Sequence, residues 1–471
     1  MARTRNNIIV LELPLILILI VSAVLSRIPL STTLYYIIGI LVCYSVSRLL
    51  LDYLDLKNNA TVTVVLLAFF LMSIIILLNY LASVRLGTIT QPFVPGGDAE
   101  YYFSSGVLLS ESGILATLPY MSGNYAGYPI VLGVLFRIFG PDLMVGMLLN
   151  LMISLIAIIM IGRITFLLFH NDRITRNAII LSSISPQILS IGTILLKDAF
   201  IVLAFCIVIL SMLNIKDSNR PAVNYLMLFG GLLIISFFRV SILFALLLIG
   251  IAIYSGREKI ARTISVLLLA VIIAFYFYVG QSFLLRQATI EDLGSGFLSN
   301  REITEKLKKE TTGTSTVKFI IGDYTEKSMI FRLFLIPGPI LVQYLTPFDF
   351  YNFRKTFDYP WFFIFTNMNI IWIAFTGLLL IFSLFHLKYL KQPLPKRLFY
   401  VGLFLYAFIA YGYGGTVPRY IIPFMPMLMP VGGWIYAAIQ SDQKIHHRWK
   451  VFRFSVYSFG FLMFLLFFLV R

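Results

Sequence analysis

The chain has 471 residues, of which 59% are hydrophobic and 12% are charged, and its formal net charge is +16. A soluble chain of this length cannot bury so much apolar surface, because soluble domains are only about half apolar. The composition therefore predicts a polytopic membrane protein and excludes a soluble enzyme. Many of the basic residues fall in short turns between apolar runs, which is the pattern of cytoplasmic loops, so we expect no nucleic-acid partner.

Apolar runs of about twenty residues, the length that crosses a bilayer, divide the chain into about thirteen candidate spans. When the N-terminus is placed in the cytoplasm, the basic turns fall on the cytoplasmic side from one end of the chain to the other. We therefore expect an all-α protein with one transmembrane domain over 1–471, in a bacterial or archaeal plasma membrane. The candidate spans are 8–26, 33–51, 61–83, 142–169, 177–195, 199–215, 223–238, 240–255, 264–284, 360–387, 397–413, 419–440 and 451–470.

Two long segments, 84–141 and 285–359, fall on the outer side of this topology and carry most of the acidic residues. Within the first, the apolar stretch 128–140 is too short to cross the bilayer and predicts a juxtamembrane helix. Within the second, Leu333–Tyr344 contains two prolines and predicts a re-entrant segment that could line a cavity. No soluble catalytic domain is evident, so any chemistry falls to residues at the membrane edge.

The first outer segment contains Gly-Gly-Asp-Ala-Glu-Tyr-Tyr at 96–102. The two glycines allow a tight turn, and two carboxylates, Asp98 and Glu100, follow at once beside Tyr101 and Tyr102. The functional interpretation makes Asp98 an active-site carboxylate that faces a water-filled cavity at the bilayer edge. The structural interpretation is an acid in a solvated loop.

Charged residues recur at the same predicted surface. Lys197 and Asp198 occupy a very short outer turn, where a local ion pair is the structural alternative to a functional cation and second acid. Arg239 lies nearly inside the bilayer, where a charge faces either a partner or a cavity that binds anions. Arg419 stands at a membrane boundary in a proline-rich run. It could bind a phosphate group through its planar fork or extend to the interface as a simple anchor.

In order along the chain, these stretches resemble the GT-C superfamily of polytopic glycosyltransferases, in particular the protein mannosyltransferases and the lipid A aminoarabinose transferases. The resemblance is carried by Asp98 with its two tyrosines, by Tyr-Pro…Leu-Phe-Arg-Ile-Phe-Gly at 128–140, and by Ser-Pro at 185–186 followed by the acid Asp198. Pro-Arg-Tyr-Ile-Ile-Pro-Phe-Met-Pro at 418–426 completes it. The chain departs from the family in having Ala99 directly after the first acid, with Glu100 one place later.

The resemblance implies transfer of a sugar from a polyprenyl-phosphate carrier to a glycan, lipid or protein acceptor on the outer side. Asp98 would act as the general base of an inverting reaction, and Asp198 would be a second acid. Arg419, with Lys197 and Arg354 as helpers, would bind the donor phosphate. A divalent metal is possible but is not required by these residues. A transporter or flippase of lipid-linked sugars and a polysaccharide polymerase remain the alternatives.

Overall fold

The computed structural model describes most of the predicted helical stretches and is helical throughout the described residues, with no strand among them. The predicted span 264–284, the second outer segment 285–359 and Arg354 lie outside the described residues. The described residues are 2–26, 28–85, 98–113, 127–217, 221–239, 242–254, 373–412 and 418–469.

Fifteen α-helices are described, and most of them lie in the apolar runs of the sequence. Two of them directly follow a helix of another type. A π-helix at Ile373–Gly377 precedes the helix that begins at Leu378, and a 3₁₀-helix at Pro418–Phe424 precedes the one that begins at Met425. The helices are α1 Ala2–Leu25, α2 Leu30–Tyr53, α3 Asn59–Arg85, α4 Asp98–Ser112, α5 Gly127–Phe139, α6 Leu143–Phe169, α7 Asp172–Ser183, α8 Pro186–Thr193, α9 Asp198–Asp217, α10 Pro221–Arg239, α11 Leu243–Tyr254, α12 Leu378–His386, α13 Pro393–Gly412, α14 Met425–Ser441 and α15 Gln443–Leu469.

Six of the described helical segments are long and apolar enough to cross a membrane, which indicates an integral membrane protein. They are Leu30–Tyr53, Asn59–Val84, Leu143–Phe169, Asp198–Ile215, Ala222–Arg239 and Ile421–Ser441. The segment on α6 is the most buried, with 83% of its apolar window inside the protein, whereas the window on α2 is 28% buried. Helix α6 is therefore at the centre of the bundle, and α2 lies at its periphery.

The predicted span 177–195 is not one continuous helix, because this stretch forms two helices that together run from the basic end to the opposite end described below. Helix α7 ends at Ser183, and α8 begins at Pro186. A proline disfavours helical backbone in the residue before it, and Ser185 is accordingly extended, with ψ of 118°. The Ser185 hydroxyl instead caps α8 by accepting a hydrogen bond from the Ile188 amide at 3.4 Å.

Polar contacts bring the turns α2–α3 and α6–α7 together with the end of α14. Asn58 donates to Asp172 at 3.1 Å. Arg173 donates to the Gln440 side chain at 2.9 Å and 3.2 Å. Helix α15 begins directly after α14 and therefore starts at the same end. These are turns in which the sequence places many of its lysines and arginines, so we name this the basic end of the bundle.

The turns α1–α2, α5–α6 and α8–α9 meet at the opposite end. Thr32, at the start of α2, donates to Asp142 before α6 at 2.6 Å. Asn79, near the end of α3, donates to the Thr193 carbonyl at the end of α8 at 3.1 Å. The described turns therefore separate into two groups in alternation along the chain, as the charge pattern predicts. Every candidate site residue within the described helices belongs to this opposite end.

Candidate functional site

The first candidate acid, Asp98, is the first residue of α4, and Glu100 lies in the same helical turn. Both side chains are half-buried. Carboxylates in the first turn stabilise a helix through its dipole, so these two acids have a structural use in addition to any chemical one. Tyr101 is 39% exposed, whereas Tyr102 is fully buried. Residues 96–97, the predicted glycine turn, lie outside the described residues.

Helix α4 packs closely on α5, and we refer to the two as the α4–α5 hairpin. Gly106 and Gly133 make the close approach possible. A Cβ atom at Gly106 would lie 2.9 Å from the Leu132 Cβ, and one at Gly133 would lie 2.7 Å from the Leu109 Cβ. Helix α5 itself is present where the stretch 128–140 predicted it. The start of α4 is therefore held by a rigid pair of helices.

The first two residues of α5 join the hairpin to α10 and α6. A Cβ atom at Gly127 would lie 2.5 Å from the carbonyl oxygen of Phe237 on α10, so only glycine fits without a shift. The next residue, Tyr128, is fully buried, and its hydroxyl donates to Oδ1 of Asn150 on α6 at 2.9 Å. Burial raises the pKa of the Tyr128 phenol, so it remains a hydrogen-bond donor.

Asn150 joins this contact to the turn before α9. Its Nδ2 atom lies 3.0 Å from the Ile191 carbonyl oxygen, 2.6 Å from that of Ile194 and 3.0 Å from that of Leu196. An amide nitrogen carries two hydrogens, so the three carbonyls share them. One fully buried side chain thus fixes the backbone that leads into the Lys197–Asp198 turn. Asn150 was not among the predicted site residues, although a lone Asn in a long apolar run is a polar signal.

Lys197 and Asp198 are both buried, at 9% and 4% exposure. Asp198 forms an ion pair with Arg239 on α10, in which Oδ1 of Asp198 lies 3.5 Å from Nη1 of Arg239. Arg239 therefore has a carboxylate partner contributed by another helix. Lys197 directly precedes this carboxylate in the chain and is itself buried, so a second cation belongs to the same turn. Cationic groups held in one region favour the charged form of an anionic ligand that enters it.

Four aromatic rings connect the hairpin to this charged region, and we name them the aromatic row. The centroid distances are 5.1 Å from Tyr102 to Tyr128, 5.8 Å from Tyr128 to Phe200, and 4.6 Å from Phe200 to Phe238. The row begins on α4, one turn after Asp98. It ends on α9 and α10, beside the buried ion pair. The structure therefore brings the three predicted acidic and basic stretches of α4, α9 and α10 to one region.

The backbone of the proline-rich run also approaches this region. The Phe424 ring meets the Phe205 ring of α9 edge to face at 5.9 Å. At about 2.0 Å per residue for a 3₁₀-helix and about 1.5 Å for an α-helix, residues 419 and 198 both lie about 10 Å from that contact, towards the same end. The side chain of Arg419 lies outside the described part of the structure.

Within the described ranges, no three His, Cys, Asp or Glu side chains come together in a group that could hold a metal ion. Comparison with known proteins found no matching family model, no matching curated protein and no matching solved structure. The resemblance to the glycosyltransferases therefore stays a prediction from the motifs.

Proposed function

We propose that the chain is a membrane glycosyltransferase that moves a sugar from a polyprenyl-phosphate carrier to an acceptor on the extracytoplasmic side. In this proposal about thirteen spans cross the membrane, and the hairpin lies at its outer surface. The observation that carries the proposal is the position of Asp98, the Asp198–Arg239 pair and the start of the Pro418–Phe424 helix at the end opposite the basic one.

The chemistry of the donor suits this location. Its lipid tail lies among the apolar helices, while its sugar and phosphate stand at the surface. In the reaction, the acceptor oxygen forms a bond to the anomeric carbon as the bond from that carbon to the phosphate oxygen breaks. The electron pair leaves with the phosphate, whose charge Lys197, Arg239 and Arg419 would stabilise. Asp98 would take the proton from the acceptor hydroxyl, and a single displacement inverts the anomeric carbon.

The ion pair supports a division of roles between the two acids. The Asp198 carboxylate is buried and pairs with a guanidinium, so its role would be to position Arg239. Asp98 is half-buried at the start of a helix and thus has access to a bound acceptor. Asp98 is therefore the better general base. The aromatic row between the two acids is largely buried packing, which would hold them at a fixed separation.

The test is to delete the gene for this chain in its source cells and to measure on which leaflet of the membrane the lipid-linked sugar accumulates. A transferase that acts outside leaves its donor on the outer leaflet, where an impermeant periodate reagent oxidises it in intact cells. Complementation with the wild-type chain should remove the accumulated donor, and the Asp98→Asn chain should not.

The transporter alternative predicts the opposite distribution. A missing flippase leaves the lipid-linked sugar on the cytoplasmic leaflet, where the reagent reaches it only after lysis. Accumulation on the inner leaflet would therefore overturn the transferase proposal. A polymerase would be distinguished by its product, because its loss shortens a repeating glycan instead of removing one sugar from an acceptor.

A further inference from the structure

A second cluster of aromatic and charged residues lies at the basic end, where α12 passes into a 3₁₀ turn, Leu387–Tyr389, and α15 begins. The Phe382 ring lies 4.0 Å from the His386 ring, 5.1 Å from the Trp449 ring and 5.4 Å from the Phe452 ring. Phe382, His386 and Trp449 are each at most 5% exposed. This packing fixes the end of α12 against the first turns of α15.

Two cations flank one tyrosine on top of this packing. Nη1 of Arg448 donates to the Tyr389 hydroxyl at 3.0 Å. The Lys388 ammonium lies 5.2 Å from the centroid of the same ring, and the Arg448 guanidinium carbon lies 6.0 Å from it. All three side chains are exposed. We name Lys388, Tyr389 and Arg448 the headgroup cluster.

The positive charge of the headgroup cluster has no close carboxylate in the described chain, since none lies within 4.0 Å of Lys388 or Arg448. The acid whose charge acts on Arg448 is Asp442, and its carboxylate caps α15 by accepting two backbone hydrogen bonds. The hydrogen bond from Arg448 lowers the pKa of Tyr389. The two positive charges of Lys388 and Arg448 beside one phenol favour the binding of an anion there.

An exposed apolar surface adjoins the headgroup cluster, one helical turn further from the basic end of the bundle. Phe385, one turn before the cluster on α12, is 64% exposed. Its ring lies 6.2 Å from the Phe452 ring, which is one turn after Arg448 on α15. Cationic side chains thus stand directly above aromatic ones. A ligand that matches this surface has an anionic head and an apolar tail.

We propose that the headgroup cluster binds the phosphate of an anionic phospholipid of the cytoplasmic leaflet, with an acyl chain along Phe385. Basic residues just outside a membrane attract anionic lipids, and tyrosines favour the headgroup region. The exposed Phe385 ring favours a lipid over a free phosphate, which has no apolar part. The site lies at the opposite end from the candidate active site and does not depend on the proposed function.

The test is native mass spectrometry of the purified, delipidated chain with added phosphatidylglycerol, with phosphatidylcholine as the neutral lipid. Lys388→Gln with Arg448→Gln should weaken phosphatidylglycerol binding about thirtyfold, because each cation contributes a similar attraction. The matched control is Lys391→Gln with Lys444→Gln. It removes the same charge from the same two segments without touching Tyr389, so binding should stay near that of the wild type.

Three results would overturn the proposal. Equal losses of phosphatidylglycerol binding in the two double variants would mean that the lipid is attracted by the general positive charge of this end and not by the cluster. Displacement of the lipid by equimolar inorganic phosphate would mean a site for a soluble anion. A wild-type chain that binds phosphatidylglycerol no better than phosphatidylcholine would refute the site whether or not the variants fold. Phe385→Ala should weaken lipid binding, because it removes the surface for the acyl chain.

Discussion

The carboxylate of Asp198 lies 3.5 Å from Nη1 of Arg239, although the two residues are 41 positions apart and begin and end different helices. Their side chains are 5% and 14% exposed. Removal of one partner from a buried pair leaves an uncompensated charge, whereas removal of both leaves none. This relationship makes the pair the most direct point at which to test the candidate site.

Arg239→Gln should lower the free energy of unfolding by about 3 kcal/mol, and Asp198→Asn with Arg239→Gln should recover part of that loss. Thermal unfolding in detergent measures both. The matched control is Lys57→Gln, which breaks an exposed 3.2 Å pair with Asp55. This change should cost less than about 1 kcal/mol. Equal costs at the two pairs would contradict the buried role of Arg239.

Asp98→Asn should reduce sugar transfer by about 10²–10⁴-fold, because the amide keeps the shape of the side chain but cannot accept the proton. Donor binding and unfolding should change little. Glu100→Gln is the control in the same helical turn and should be milder. If both variants fail and a chelator inhibits the wild type, the two acids share a metal instead. Native turnover by the Asp98→Asn chain would remove Asp98 from the mechanism.

Asn150→Leu should destabilise the chain by about 2–4 kcal/mol, because it leaves the Tyr128 hydroxyl and three carbonyls without their shared partner. It should also lower transfer, since the backbone before Lys197 would be free to shift. Tyr128→Phe is the control, because it removes one hydroxyl from the same contact and should cost about 1 kcal/mol. Unfolding and turnover of each variant give the comparison. Loss of stability with unchanged turnover would show that Asn150 does not position the turn.

Gly127→Ala should displace the α4–α5 hairpin, because its Cβ would lie 2.5 Å from a backbone oxygen that cannot rotate away. We expect a cost of about 1–3 kcal/mol. The control is Gly230→Ala on α10, where the added Cβ would have no atom within 4 Å beyond its chain neighbours and its own helical backbone. That change should be neutral or stabilise by up to about 1 kcal/mol. Similar results for both glycines would show that the hairpin does not sit against α10.

Cysteine labelling tests the sides of the membrane. The native Cys43 and Cys206 are buried and should give little background. Cysteines placed at Ser112 on α4 and at Gln443 at the start of α15 are both exposed. An impermeant maleimide should label the first in intact cells and the second only after lysis. Labelling of both from the same side would refute the topology.

The helices were largely predictable from the length of the apolar runs. Helices α2 and α3 extend the predicted spans by two or three residues at each end, because helical backbone continues past the apolar core into polar turns. Helix α6 matches its predicted span to within one residue. The break within 177–195 was missed because hydropathy was read without Ser185–Pro186, although a proline restricts the residue before it whatever the polarity around it. The number of spans stays a prediction, because 264–284 lies outside the described residues.

The candidate site was predictable as a set of residues on one side, but its contacts were not. Charge and turn position place Asp198 and Arg239 at the same end. Nothing local indicates that one pairs with the other. Asn150 is similar, since three of its partners are 41 to 46 residues away and are backbone carbonyls, which carry no sequence signal. Long-range contacts of this kind depend on helix packing, which periodicity alone does not specify.

The contacts of Asn150 also constrain the order in which the protein can assemble. The three carbonyls that accept hydrogen bonds from the Asn150 amide belong to residues 191–196. None of them exists while the ribosome is still making the preceding helices. Tyr128 and the hairpin are made first. At about 5–20 residues per second, the hairpin waits for several seconds before the turn that completes its contact is synthesised. During that interval the short apolar helix α5 depends on α4 and on the membrane surface, or on a chaperone, to cover its apolar side chains.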